Sequence, residues 1–188
     1  DLRLHPDILD ETLLEFRPDI IGITAFSMHV LAALANCKRA KELLENVVTV
    51  VGGHHATLLP EDFFEPQMDY VVVGEGVYPF NLLVEAVENG HEVPEIPGLY
   101  RRSEEGFTLD APPREFEIES LPFPVRQITL QDRSSYFIDW MSPVALLRST
   151  VGCPYRCTFC SLWRIMDKRY HKRATEKVVE ELLGIQEE

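Results

Sequence analysis

No apolar run in this sequence approaches the roughly 18–20 residues that a bilayer-spanning helix needs, and no stretch reads as a secretory signal. Basic residues are scarce: 18 Lys and Arg stand against 31 Asp and Glu, a net charge of −13. Such an acidic surface argues against nucleic-acid binding by general electrostatics and against an anionic membrane surface. Internal repeats and low-complexity segments are missing. Cysteine is limited to four residues, and without a secretory segment a reducing cytoplasm is the expected compartment. What remains is 188 residues, 45% apolar and 26% charged, enough for one good core or two small ones. Asp1 to Leu4 read as the tail of a strand and Leu182 to Glu188 as a helix. The expectation is an internal fragment cut at both ends.

The first half alternates strand and helix. Leu9, Leu13 and Phe16 sit at i, i+4, i+7, an amphipathic helix that Pro18 ends. Asp19 to Phe26 is a continuous apolar run, the pattern of a strand covered on both faces. Val30, Leu34, Cys37 and Leu44 mark the apolar face of a long helix, with Cys37 expected in the core. Val47 to Val51 and Tyr70 to Val73 are two further buried strands. Pro60 to Phe64 suggest a short helix. Phe80, Leu83, Val84 and Val87 mark another helix, with Pro79 in its first turn and Gly90 at its end. This alternation implies an α/β fold with a doubly wound, flavodoxin-like parallel sheet. Ligands bind such sheets at the carboxyl ends of the strands. There the sequence places Thr24 and Ser27, then Gly52 and Gly53, then Gly74 and Gly76. Glycine lets a ligand approach the backbone; tight strand-to-helix turns would also account for these residues. His54 and His55 are expected to serve the loop, and His5, His29 and His91 the surface or a cap.

Residues 91–142 change character, with six prolines breaking any long element. Leu99–Arg102 and Phe107–Leu109 flank a turn and suggest a β-hairpin. Tyr136, Phe137, Trp140 and Met141 form an apolar cluster expected to pack between domains. The expected domains are 1–90, a linker with hairpin at 91–142, and 143–188. In the last of these, Leu146 to Gly152 reads as a buried strand entering Cys153-Pro154-Tyr155-Arg156-Cys157-Thr158-Phe159-Cys160. Three thiolates on one short loop suit a soft iron–sulfur cluster. A zinc knuckle completed by His171 and a disulfide loop are the other readings. Zinc sites usually pair C-x2-C units, and a disulfide would leave one of the three cysteines unpaired.

The C-x3-C-x2-C spacing, with an aromatic residue before the last cysteine, resembles the signature of radical S-adenosylmethionine (SAM) enzymes. The resemblance implies a [4Fe-4S] cluster on Cys153, Cys157 and Cys160, whose open iron chelates SAM, with Phe159 near the adenine. One-electron cleavage of the sulfonium would give a 5′-deoxyadenosyl radical. Arg169 to Arg173, followed by Val178 to Leu182, resembles the first-helix region of that family. Gly52, Gly53, His55, Ala56 and Thr57 resemble the G-G-x-H-A-T motif of the cobalamin-binding domains that precede radical SAM barrels. Asp69, Val71, Val72, Gly74, Glu75 and Gly76 resemble their D-x-V-V-x-G-E-G motif, with Val77 where that family often has Glu. No D-x-H-x-x-G motif for a lower cobalt ligand is found. Leu121 to Pro124 resembles the linker into the barrel, of which residues 143–188 would be the first βα unit.

The implied activity is methyl transfer to an unactivated carbon, on a small-molecule or lipid substrate. A one-electron donor such as flavodoxin or ferredoxin is implied with it. Tyr136 to Met141 and the cysteine segment also resemble the hopanoid C-3 methylase group. Alternatives are a tetrapyrrole-type radical SAM cyclase, a non-catalytic cobalamin- or nucleotide-binding module, and structural zinc at a domain junction. The fragment alone is expected to turn over no substrate.

Overall fold

The structure is a computed structural model that describes residues 8–166 and 169–187. The strand expected at Asp1–Leu4, and His5, lie outside them. The chain divides into two compact units, 1–115 and 116–188. The division falls inside the segment that the sequence gives to a linker.

Among the described residues, the first unit runs through α1 (Ile8–Phe16), β1 (Ile20–Thr24), α2 (Val30–Leu43), β2 (Val48–Gly52) and α3 (His54–Leu58). β3 (Tyr70–Val72), α4 (Val77–Glu88), β4 (Leu99–Ser103) and β5 (Gly106–Leu109) complete it. The sheet order is β1-β2-β3-β4-β5. β1, β2 and β3 run parallel, with Ile23 opposite Val51 and Val51 opposite Val71. The expected hairpin, β4–β5, joins β3 antiparallel and extends the same sheet.

Alternation along the strands sends side chains to two covered faces. Val51 and Val71 point to a core filled by Ala33, Cys37, Ala56 and Phe63, from α2, α3 and a 3-10 turn at Pro60–Phe63. Val50 and Val72 point the other way, to Leu83 of α4, Ile96 and Leu99. Full burial of a side chain such as Leu83 contributes about 1.5–3 kcal/mol. Helices on both faces make this the expected doubly wound α/β arrangement. α1 packs through Leu13 on Ala40 of α2 and on Val47.

Three expectations change here. β1 is not covered on both faces, because Gly22 and Thr24 are exposed, with the Phe80 ring and Val50 the near neighbours of Gly22. The buried face of α2 is Ala33, Cys37 and Ala40, with Val30 and Leu34 only partly covered. Small residues there let the helix lie close on the sheet. Phe16, read as apolar face, is 77% exposed at the end of α1.

At the amino end of β3, Asp69 ties three elements together. It accepts from Lys41 Nζ at 2.5 Å, the Thr49 backbone N–H at 2.9 Å and an Arg102 guanidinium nitrogen at 3.0 Å. Burial pushes its carboxyl pKa up, but these donors outweigh burial and hold it below the usual range. The Asp of the second motif is therefore a structural brace.

The second unit holds β6 (Thr150–Gly152), α5 (Leu162–Ile165), β7 (Tyr170–Lys172) and α6 (Thr175–Glu187), after 3-10 turns at Ile118–Ser120 and Arg126–Ser135. Its core gathers Phe116, Ile118 and Val151, with Leu121 and Met166 beside them. Glu181 of α6 is buried between Arg126 and Arg173, both ion-paired to it. Burial raises the Glu181 pKa, the two arginines lower it, and the arginines win. Again the structure corrects the sequence reading. The buried strand shrinks to β6, with Val151 buried and Leu146 88% exposed. Tyr170–Lys172, read as approaching a helix, is a strand antiparallel to β6. Tyr136, Phe137, Trp140 and Met141 are all exposed and form no packed cluster.

Candidate cofactor sites

In the first unit the carboxyl ends of β1 and β2 are stitched together. The Ala25 N–H donates to the Gly52 carbonyl at 2.9 Å, and the His55 N–H donates to the Ala25 carbonyl at 3.1 Å. Between them Gly53 adopts φ 99° and ψ −168°, a region that is essentially glycine-only. A Cβ there would stand 2.9 Å from Thr24 Cγ2 and 3.1 Å from the Ala25 backbone. Gly53 of the first motif is thus needed for the turn itself.

The polar residues predicted for this site are drawn together. His55 is 8% exposed in the first turn of α3. Its Nδ1 lies 2.9 Å from Ser27 Oγ and its Nε2 lies 2.7 Å from Asp62 Oδ2. Thr57 Oγ1 donates to the Gly53 carbonyl at 2.9 Å and accepts the Gly74 N–H at 3.0 Å, joining the ends of β2 and β3. Thr24 and Ser27 are exposed at the rim, while Gly52, Gly74, Glu75 and Gly76 are half-buried. Ala56 differs: it is fully buried in the core and offers no surface to a ligand. Asp62 was missed in the sequence reading. His54, its neighbour's twin in sequence, instead meets the Phe26 ring edge-on at 5.0 Å.

In the second unit, Gly152 and the Cys153 N–H anchor the cysteine loop. The Cys153 N–H donates to the Arg169 carbonyl at 3.1 Å. Gly152 has φ 85°, and a Cβ there would press onto that same carbonyl. At the other end, the Cys160 N–H donates to the Cys157 carbonyl at 3.1 Å, which also accepts from the Trp163 indole at 3.2 Å. All three thiols are free, with Cys157 exposed and the other two half-buried. Phe159 is 91% exposed on the same loop. Among the described residues, no three Cys, His, Asp or Glu side chains converge to hold a metal ion. That holds for His171 as a fourth ligand too. The donor chemistry, three reduced thiols on a loop pinned at both ends, fits a soft metal cluster.

Cys37 is the contrasting thiol. Burial is the main cause that pushes its pKa up to about 11. A groove of about 410 Å³ in the first unit is lined by Arg101, Asp110 and Val93. Arg101 is already committed there to Asp110 and to the carbonyls of Val93 and Pro94. No helix among the described residues is long and apolar enough to cross a membrane.

The B12 binding domain family matches residues 1–84. An uncharacterised methyltransferase of Pyrococcus horikoshii is 37% identical over 89% of this chain and 37% of its own length. The hopanoid C-3 methylase of Methylococcus capsulatus is 32% identical over 97% of this chain and 35% of its own length. The anaerobic magnesium-protoporphyrin IX monomethyl ester cyclase of Rubrivivax gelatinosus is 32% identical over 95% of this chain and 33% of its own. The chain thus spans about a third of the length of these relatives. Among solved structures, the cobalamin-dependent SAM radical enzyme OxsB, with aqua-cobalamin and SAM bound, superposes with a TM-score of 0.73. That match has 21% identity over 97% of this chain and 25% of the other, and it supports the fold. Residues 1–84 thus match a B12 binding domain, and along most of its length the chain is similar to proteins named as methyltransferases and a cyclase.

Proposed function

We propose that this chain is the cobalamin-binding domain, linker and opening βα unit of a radical SAM methyltransferase acting on an unactivated carbon. The observation that carries the reading is the pairing, in one chain, of a B12-binding domain with three free thiols at C-x3-C-x2-C spacing. In this reading residues 1–90 bind cobalamin, 91–142 connect, and 143–188 open the barrel. Cys153, Cys157 and Cys160 would hold a [4Fe-4S] cluster, and the exposed ring of Phe159 would cover the adenine of SAM. Gly53 brings backbone to the ligand without a side chain in the way, and Thr24 and Ser27 line the rim. When bound, these groups supply a one-electron reductant, a radical initiator and a carrier for the methyl group. The chain's own part is to fix them in place and keep water out.

The test is anaerobic reconstitution of the chain with iron, sulfide and hydroxocobalamin, beside Cys157→Ala. Expected are about four iron and four sulfide per chain, lost in the variant, with the corrin band retained in both. Zinc in place of iron, or no corrin band, overturns the reading. The chain alone is expected to release no methylated product, and flavodoxin or ferredoxin is the class of electron donor expected for the longer protein. A hopanoid lipid is the narrower substrate reading, supported by the Methylococcus relative. A cyclase is the second reading, supported by equal identity to the Rubrivivax protein. Product analysis on the longer protein separates the two.

A further inference from the structure

The hydrogen bonds of His55 restrict what the strand-end cradle can accept. A carboxylate only accepts, so the 2.7 Å contact with Asp62 puts a proton on Nε2. In the neutral ring Nδ1 is then bare, and Ser27 Oγ, 2.9 Å away, donates to it. A hydroxyl has one proton. With that proton turned inward, the exposed Ser27 presents only lone pairs to a ligand. Thr57 is committed in the same sense, because its hydroxyl already donates to the Gly53 carbonyl.

We propose that His55 is a positioning residue, held by Asp62, that makes Ser27 a hydrogen-bond acceptor at the carboxyl end of β1. The position then takes a neutral group bearing N–H donors, such as the primary amides on the rim of a corrin. It disfavours phosphate or carboxylate, whose oxygens would meet lone pairs. This rests on the cobalamin reading above and adds which side chain selects the ligand, and by which polarity.

The test has two arms on the full chain. Long-range proton–nitrogen NMR of nitrogen-15 histidine reads the tautomer without any ligand. Expected is His55 protonated at Nε2 and bare at Nδ1, with the Nδ1 resonance moving in Ser27→Ala. A proton on Nδ1 overturns the proposal. In the second arm, hydroxocobalamin is titrated into the wild type, Ser27→Ala, His55→Phe and the double variant. Each single change is expected to weaken binding about tenfold, and the double no more than the weaker single, because His55 acts through Ser27. Additive losses or unchanged affinity overturn the proposal. Should His55→Phe fail to fold, Asp62→Leu, at a half-exposed position, takes its place in the cycle. Binding of hydroxocobalamin with the other tautomer sinks this proposal alone. The expected tautomer without any binding sinks the cobalamin reading and the ligand choice with it.

Discussion

Ser27, His55 and Thr57 at the strand ends of the first unit are held by neighbouring groups, over a floor of fully buried Ala25 and Ala56. The cysteine loop of the second unit has fixed ends but turns Cys157 and Phe159 outward. The first is a cradle completed by folding. The second is a set of free thiols, and in the proposed reading their order depends on the metal they bind. One site spends its polar groups on its own geometry, and the other keeps its reactive groups available.

Stripping metal from the reconstituted chain with a chelator breaks the comparison most sharply. Amide exchange is expected to accelerate about a hundredfold or more within residues 153–161, and to stay unchanged within residues 20–57. Equal acceleration in both would mean that the two sites are not built differently. Gly53→Ala tests the cradle. Its backbone region and the Thr24 contact predict a loss of about 3 kcal/mol, read by urea denaturation as a lower midpoint. A neutral result would show that the turn is not what holds the cradle.

Asp69→Asn is expected to cost about 2 kcal/mol, since charged hydrogen bonds from Lys41 and Arg102 are lost. The pH dependence has a definite sign. The Asp69 carboxyl is held below its usual value of 3.8 in the folded chain. Its stabilisation is therefore fully present above that value and is lost as pH falls below it, toward the folded pKa. Urea midpoints from pH 7 to pH 3 should converge for wild type and variant at the acid end. The smallest effect is chemical. With its pKa near 11 and no exposure, Cys37 should resist iodoacetamide at neutral pH while Cys157 is labelled, as mass spectrometry of the metal-free chain reads.

The strands and helices of the first unit were legible because each apolar run is short and bounded by turn residues. The covered faces were less so. Periodicity marked Val30 and Leu34, but the close approach of α2 is set by Ala33 and Ala40, which hydropathy weighs little. β7 was missed because Tyr170–Lys172 is polar and its partner β6 is only three residues long. Within the cradle, the glycines and hydroxyls were visible as residues at strand ends. The role of His55 was not, since Ser27 lies 28 positions away and only folding brings it near. Asp62 carried no motif, and its signal is the histidine seven residues earlier.

The brace at Asp69 has a consequence for engineering. It locks α2, β2 and β4 at the amino end of β3, the end opposite the cradle. Register is thus secured at the end of the sheet away from the cradle. Exposed rim positions such as Thr24 and Ser27 can be randomised in a library while the scaffold keeps its alignment. Selection for new ligands then acts on one end of the sheet with the other serving as a fixed chassis.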